Sequence, residues 1–466
     1  MPALPLLPCW PDAANGADAA DAIVACREGR AVTRLEFLRQ VDALAQCLPD
    51  APHIMNLCGD RYWFAVAFFA CIVRGVVSVL PNSDAPEHLL ALQAASPGMV
   101  CVGDQATSLA AAVPYVRVDE SEWAPDVGAS SAMPAMPLIP VDQCVARVYT
   151  SGSTGQPQVF DKYFGCLRHS IEGAMQRIWP VTRGPCSVVG TSSFRHMFGF
   201  EATVLLPLWG GGCLSEGVPF FPADVCAALA ALPEPRLLVT TPYHLRKLLE
   251  AQVGFPRLAA VLCATAPLSA ELAQRAEALL DAPVLELYGA TELGMTATRE
   301  PCRQQTWETL SGITLQAQAA SAASIPVGSA ATVIAEGPSL RVPQALHDVI
   351  ELVEPTRFRL IDRNANLINI VGKRTSLGFL NHLLCDIAGV KDGVFCLPQE
   401  AHDAARLAAF VVAPELRSAD IVAALRPHLD PVFLPRPIVF VEHLPRDANG
   451  KLPAAALRAL IHEHLT

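Results

Sequence analysis

The sequence predicts an α/β fold with largely parallel strands, and two observations carry that expectation. Helix-spaced and strand-like runs alternate along the chain, most plainly over residues 1–140, which is the pattern of strands joined by crossover helices. The 466 residues are 52% hydrophobic and only 17% charged. A chain of that length and composition exceeds one small domain and can bury a large core.

The elements follow in order. Leu35, Leu38, Val41, Leu44 and Ala45 recur at helical spacing over 33–47, with Thr33 placed as N-cap and Glu36 three residues on. A strand is expected over 53–57 and a helix from Tyr62. The most apolar stretch, 64–80, is broken by Arg74-Gly75 and is short for a membrane span. It reads as a buried helix, a turn at Gly75 and a strand over 76–80. A helix over 87–95 and a strand over 99–102 follow. Residues 119–141, rich in Pro, Ala and Ser, read as a connecting loop. A strand over 144–149 feeds the run Thr150-Ser151-Gly152-Ser153-Thr154-Gly155. Beyond it come a helix over 166–179, a strand over 187–191, an apolar helix over 202–209, a strand over 236–241 and a helix over 244–251. The strands over 259–263 and 283–287 each run into a loop of small, hydroxyl or carboxylate residues. No internal repeat is visible.

Composition excludes several function classes. The net charge of −11 argues against nucleic-acid binding, which rests on neutralising phosphates. The 15 cysteines are odd in number and scattered, with no Cys-x-x-Cys pair; this suits free thiols in a reducing cytoplasm rather than a disulfide framework or zinc site. The N-terminus, Met1-Pro2-Ala3-Leu4-Pro5-Leu6-Leu7-Pro8, has no basic region and is broken by prolines, unlike a signal peptide. No stable membrane insertion is expected.

The run from Thr150 to Gly155 has the makings of a phosphate-cradling loop. Glycines let backbone N–H groups approach an anion, and hydroxyls add donors. No Gly-Lys-Ser/Thr follows, so it is not a Walker A loop; by composition alone it equally suits a surface turn. In Phe194-Arg195-His196-Met197-Phe198-Gly199-Phe200, His196 is either a pocket residue or a core histidine. In parallel sheets, ligands gather at the carboxyl ends of strands. There Tyr288 could stack on a flat base and Glu292 could hold hydrated Mg2+, although a lone Glu292 also suits a solvated surface.

Taken together, these motifs resemble the adenylate-forming superfamily of acyl-CoA synthetases, peptide-synthetase adenylation domains and luciferases. Tyr149 and the loop through Gln158 resemble its phosphate loop, Phe194 to Gly199 its aromatic-x-His-x-x-Gly segment, and Ala264-Thr265-Ala266-Pro267-Leu268 its adenine-contacting turn. Tyr288-Gly289-Ala290-Thr291-Glu292 resembles its aromatic-Gly-x-Thr-Glu motif. Arg357-Phe358-Arg359-Leu360-Ile361-Asp362-Arg363 with Ile370-Val371-Gly372-Lys373-Arg374 resembles its hinge, and Pro445-Arg446-Asp447-Ala448-Asn449-Gly450-Lys451-Leu452 its C-terminal lysine motif. The motifs stand in family order across nearly the whole chain. The chain departs from the family in three ways. Gln158 replaces the usual lysine, Asp348 lacks the usual Thr-Gly-Asp context, and 301–345 match poorly apart from Ala335-Glu336-Gly337-Pro338-Ser339.

The resemblance implies a large N-terminal domain of mixed, largely parallel sheets with helices, 1–361, and a small, mobile α+β C-terminal lid domain, 362–466, pivoting at Asp362. It implies ATP-dependent activation of a small carboxylic acid to an acyl-adenylate, followed by transfer to CoA or to the phosphopantetheine thiol of an acyl carrier protein. In that scheme Lys451 bridges the acid and the α-phosphate. Thr150, Ser151, Gly152, Ser153, Thr154 and Gly155 cradle phosphate, and Thr154 and Glu292 serve Mg2+. Ala264, Thr265, Ala266, Tyr288, Gly289, Ala290 and Thr291 meet the nucleotide base side, and Asp348 and Arg363 the ribose. His196, Phe198, Phe200, Cys263, Ala264, Tyr288, Gly289 and Met295 are expected around the acid. With no Asp from Phe194 to Phe200 to hold an α-amino group, an amino acid is disfavoured. An aromatic acid is expected, in the manner of ligases of bacterial aryl-polyene and xanthomonadin-type pigment clusters. Rival readings are a medium-chain acyl-CoA synthetase and, prompted by Gln158, an inactive nucleotide-binding paralogue. An oxygenase of the luciferase type shares the motifs, but no residue singles it out.

Overall fold

The computed structural model describes residues 2–8, 20–81, 83, 85–105, 113–118, 135–150, 158–251, 253–317, 333–346, 348–363, 367–370, 373–398, 406–447, 450 and 452–465. These fall into two compact units: Met1–Thr314 with Ala335–Gln344, and Leu315–Ile334 with Ala345–Thr466. The domain division expected at 361/362 differs from this partition, which places Ala345 onward and Leu315–Ile334 in the second unit. Among the described residues no helix is long and apolar enough to cross a membrane.

The first unit holds two mixed sheets. One is ordered Gln158–Tyr163, Cys144–Thr150, Val77–Leu80, His53–Asn56, Val100–Gly103, Tyr115–Arg117. Its pairings are parallel except for the first, an antiparallel pair with Gln158 opposite Thr150. The second sheet runs Trp307–Thr309, Gly294–Arg299, Val284–Ala290, Ala260–Cys263, Arg236–Thr240, Ser187–Gly190, Cys213–Ser215, Ile23–Arg27, Arg30–Thr33. From Val284–Ala290 to Ile23–Arg27 all neighbours are parallel, and antiparallel strands flank them. A strand buried on both faces reads as a near-continuous apolar run, and Ser187–Gly190 and Ala260–Cys263 are buried at every position.

Local signals set the helices. Thr33 caps Arg34–Cys47 by accepting from the Glu36 N–H, a contact worth about 1 kcal/mol. Helix Arg61–Arg74 starts on Asp60, whose carboxylate accepts from the Trp63 N–H, and stops at Gly75 with φ 75°, where glycine carries no Cβ penalty. It packs against strands of both sheets. Phe64, Phe68 and Phe69 are fully buried on it, each stabilising the unit by about 1.5–3 kcal/mol. The apolar stretch 64–80 is therefore the central packing helix followed by a strand, as the Arg74-Gly75 interruption implies.

Two expectations need correction. The loop expected over 119–141 ends in a strand, Leu138–Pro140, antiparallel to Ala3–Pro5; that pairing is long-range and leaves no local signal. The helix expected over 202–209 begins at Met197 and continues to Gly210, with a π-helical turn over Glu201–Leu205. Pro207 has no N–H to continue the i→i−4 ladder. Leu206 N–H instead reaches Glu201 O, five residues back, and Thr203 Oγ1 donates to Gly199 O at 2.6 Å.

The second unit is α+β. Asp348–Glu354 pairs antiparallel with Arg357–Arg363, and Leu367–Ile370 with Lys373–Ser376. A three-stranded sheet of Asp392–Cys396, Ala408–Val412 and Ile438–Phe440 packs with helices Leu377–Cys385 and Ser418–Leu425 around Leu380, Leu384, Phe395, Val411 and Ile421. The strand Arg357–Arg363 runs through the expected pivot, so Asp362 and Arg363 belong to a paired strand.

Candidate active site

The strands Ser187–Gly190, Arg236–Thr240, Ala260–Cys263 and Val284–Ala290 run parallel as neighbours. Their carboxyl ends therefore open on one edge of the sheet. The segments that leave them are 191–200, 241–244, 264–268 and 291–293. Three of the four sequence motifs of the first unit thus converge because consecutive parallel strands deliver them there.

The 194–200 segment is fixed from both sides. Arg195 donates to the carbonyls of Leu57 (3.1 Å) and Cys58 (3.0 Å), beyond a strand of the other sheet. Phe194 and Phe200 pack on Phe64, with ring centroids 4.8 and 6.1 Å away, and Phe200 also on Phe68. A Cβ on Gly199 would lie 2.1 Å from Ser193 O, so only glycine lets the helix start this close to the chain before it. His196 is the N-cap of that helix and half-buried, as is Phe198. Phe200, Cys263 and Met295 are core side chains here, 0, 0 and 1% exposed.

The next strand end is strained. Thr265 has φ 81°, a region a β-branched residue rarely adopts and one that clusters at ligand sites. The turn is pinned below by Glu286, which accepts from the Leu268 N–H at 2.8 Å and from Arg299 Nε at 2.6 Å. Burial pushes the Glu286 carboxyl up, against the pull of Arg299. Ala264 is buried, and Thr265 is half-buried.

Tyr288 lies on Val284–Ala290, 7% exposed, its ring edge-on to Trp307 at 5.7 Å. Gly289 lies at a register shift, where a Cβ would meet Gly294 O at 2.4 Å. Ala290, Thr291 and Glu292 are half-buried and form the turn into Gly294–Arg299. Among the described residues no cluster of three or more His, Cys, Asp or Glu side chains makes a preformed metal site.

Several residues here escape sequence reasoning. Lys162 is 8% exposed and donates to the carbonyls of Thr291 and Glu292. Glu201, 1% exposed, accepts from Ser170 Oγ at 2.7 Å and from the Met295 N–H at 2.8 Å. Thr191 Oγ1 stands 2.9 Å from Thr240 Oγ1 and 3.1 Å from His244 Nδ1, a buried polar group at two strand ends. Arg61, fully buried, donates to Gly190 O and to Ser215, and burial lowers its pKa to about 10. The sequence signal for Glu201 is a single acid between Phe200 and Ala202; for Lys162 there is none, since Asp161-Lys162 reads as a solvated strand face.

Thr150 ends the strand Cys144–Thr150, whereas Ser151, Gly152, Ser153, Thr154 and Gly155 lie outside the described residues. In the second unit Asp348 and Arg363 face each other across paired strands. Asp362, opposite Val349, follows a register shift that leaves Ile361 as the extra residue. Lys451 lies outside the described residues. Gly450 before it has φ 77°, and its N–H donates to Asp447 O at 2.9 Å.

Comparison with known proteins adds to this geometry. A family model described as AMP-binding enzyme matches residues 11–320. The chain is 24% identical over 486 aligned positions to tyrocidine synthase 3 of Brevibacillus parabrevis, covering 94% of this chain and 7% of that protein. It is 25% identical to p-hydroxybenzoic acid–AMP ligase FadD22 of Mycobacterium marinum over 90% of this chain and 62% of that protein. The chain thus spans less than two thirds of these curated relatives. Its fold matches ATP-bound MatB from Rhodopseudomonas palustris with a TM-score of 0.79 and 18% identity, over 95% of this chain and 96% of that one.

Proposed function

Because this chain belongs to the AMP-binding enzyme family, we propose that it is an AMP-forming acid–thiol ligase that activates an aromatic carboxylic acid with ATP and passes the acyl group to a thiol. The observation that carries this reading is the delivery of the segments holding His196, Thr265 and Thr291-Glu292 to one edge by consecutive parallel strands. A carboxylate oxygen attacks the α-phosphorus, the α–β anhydride bond breaks, and pyrophosphate leaves. A thiolate then attacks the acyl carbon and AMP leaves. No electrons are gained or lost in either step.

Positioning and charge neutralisation do most of such chemistry. The adenine would lie against the turn Ala264-Thr265-Ala266 and the backbone of 288–291. The strained Thr265 and the glycine-dependent close approach at Gly289 support a site shaped for a flat ligand. Asp348 and Arg363 would serve the ribose, and their opposed register supports that. The residues present fit Mg2+, which keeps several waters and takes one or two carboxylates plus substrate phosphates; Glu292 would supply the carboxylate and Thr154 a hydroxyl. Lys451 would neutralise charge between acid and α-phosphate, and residues 362–466 would move as a lid about Asp362. His196, Phe198 and the small residues 264 and 289 would border the acid. Similarity to a p-hydroxybenzoic acid–AMP ligase supports an aromatic substrate.

The test is acid-dependent ATP–pyrophosphate exchange across a panel of hydroxybenzoates, cinnamates and medium-chain fatty acids, followed by product mass with CoA or with a pantetheinylated carrier protein. Exchange is expected with an aromatic acid. Preference for a fatty acid would overturn the substrate class. ATP binding without exchange for any acid would favour an inactive paralogue, the reading that Gln158 prompts.

A further inference from the structure

Two buried side chains grip the turn after Val284–Ala290 from opposite ends. At its entry the Lys162 ammonium donates to the carbonyls of Thr291 and Glu292, the latter at 3.3 Å. At its exit the Glu201 carboxyl accepts from the Met295 N–H at 2.8 Å and is steadied by Ser170 Oγ at 2.7 Å. Gly294, with φ 74°, makes room for it: a Cβ there would lie 2.9 Å from Glu201 Oε1. The π turn that begins at Glu201 is part of the same device, because it sets the angle at which that side chain leaves the helix.

We propose that Lys162 is a positioning residue: its ammonium fixes the turn that presents Thr291 and Glu292 to ATP and its metal, while Glu201 secures the far end of that turn. The inference rests on the reading of Glu292 as the metal-side carboxylate. Three features argue for it over a bland buttress. A lysine inside a protein is costly unless its donors are satisfied, and an apolar side chain would fill the same strand position without that cost. The Lys162 ammonium donates to the main-chain carbonyls of the two motif residues, Thr291 and Glu292. Lys162 also lies four residues past Gln158 on the strand Gln158–Tyr163, which follows the motif residues 150–155 in sequence. The strand that ends the expected phosphate loop is therefore fastened to the turn that carries the carboxylate. Glu201, Glu292 and Cys166 are the titratable groups that act on the ammonium, and burial weakens its hold on the proton.

The experiment compares wild type, Lys162→Met and the double variant Lys162→Met/Glu201→Gln, which leaves no unpaired buried charge if the single variant folds poorly. Titration calorimetry with ATP at fixed and varied Mg2+ is run beside hydrogen–deuterium exchange of peptides spanning 289–299. Removing Lys162 is expected to weaken MgATP binding about tenfold, the scale of one lost hydrogen bond to a charged group. It should also raise the Mg2+ concentration needed and speed deuterium uptake in 289–299 alone. Where exchange activity is found, KM for ATP should rise while KM for the acid stays within about twofold. An unchanged MgATP affinity with a lowered melting temperature would make Lys162 a structural residue and overturn the proposal. If wild type binds MgATP but activates no acid, the ligase reading fails while the affinity ratio still decides the role of Lys162. If wild type does not bind MgATP, both fail.

Discussion

Arg446 meets Asp392 through two hydrogen bonds of 2.7 Å, from Nε and Nη2, and its Nη1 donates to Gly450 O at 3.0 Å. One guanidinium thus ties the start of the Pro445 to Leu452 motif to the sheet and clamps the residue directly before Lys451. Such a bidentate pair sets direction as well as energy, and Arg446 is 20% and Asp392 16% exposed at the side chain.

Arg446→Ala is therefore expected to slow adenylation about tenfold to a hundredfold through loss of bonds to a charged group, with the KM for ATP changed less. Lys451→Ala, which deletes the proposed cation itself, should cost more, on the order of several kcal/mol of barrier. Pyrophosphate exchange with the preferred acid measures both. Wild-type exchange in Arg446→Ala would show that the turn holds its shape without the anchor.

The second prediction concerns pH. Burial raises the Glu201 carboxyl from 4.5 to about 7, opposed by Ser170, Lys162 and the Met295 N–H. The folded state then holds a proton that the unfolded state has lost between those pH values. Its contribution to stability is full below about 4.5, declines as pH rises towards 7, and is flat above. Glu201→Gln keeps the shape and the acceptor but cannot titrate. Relative to wild type it should gain on the order of 2–3 kcal/mol between pH 5 and pH 8. Urea unfolding at the two pH values reads this difference, and parallel pH dependences in the two proteins would place the carboxyl near its ordinary value.

How much of this was legible in sequence depended on how local the cause was. Thr33 caps its helix as its spacing to Glu36 implies, and Gly75 ends the helix where Arg74-Gly75 breaks the apolar run. Parallel strands with small-residue ends could be read because each such end is a contiguous string. Lys162 and Glu201 were not legible, since their partners lie 129 and 94 residues away. Glu201 also depends on a π turn produced by Pro207 and Thr203 acting together on one helix. The pairing of Leu138–Pro140 with Ala3–Pro5 spans more than 130 residues of chain, so composition alone gave a loop. The place of Asp348 opposite Arg363 is likewise a fact no linear string holds.

Gln158 supports a third prediction. It is exposed at the start of Gln158–Tyr163, opposite Thr150. A lysine there adds a charge at the phosphate side without disturbing a packed group. Gln158→Lys should lower the KM for ATP severalfold, about 1 kcal/mol for a partly screened charge, and change kcat less, because the added attraction acts on bound ATP before reaction as well as during it. The effect should shrink as salt is raised. Equal KM values at low salt would show that this position does not meet the nucleotide.

The last prediction tests the pivot. On the proposed reading one site serves adenylation and then thiol transfer, so Lys451 would give way once the adenylate has formed. The backbone at Asp362 has a feature suited to bending. Opposite it the register shifts between Val349 and Ile350, leaving Ile361 as an extra residue just before Asp362. A bulge of this kind breaks the ladder locally and lets a strand turn, and hinges are a few residues at element ends that absorb large backbone changes. One residue after Asp362 the strand ends, at Arg363. Proline fixes φ near −65° and removes the N–H, so Asp362→Pro should keep acyl-adenylate formation and slow thioester formation by about a hundredfold or more, as for a step that needs the lost rotation. Single-turnover kinetics of each half-reaction, the second started from preformed adenylate, separate the two. Wild-type rates in both would remove residue 362 as the pivot. Because proline can also cost a ladder bond, Asp362→Ala serves as the control: it keeps the N–H and the φ freedom, and both half-reactions should proceed within about threefold of wild type if backbone rotation, rather than the carboxylate, is what the position supplies.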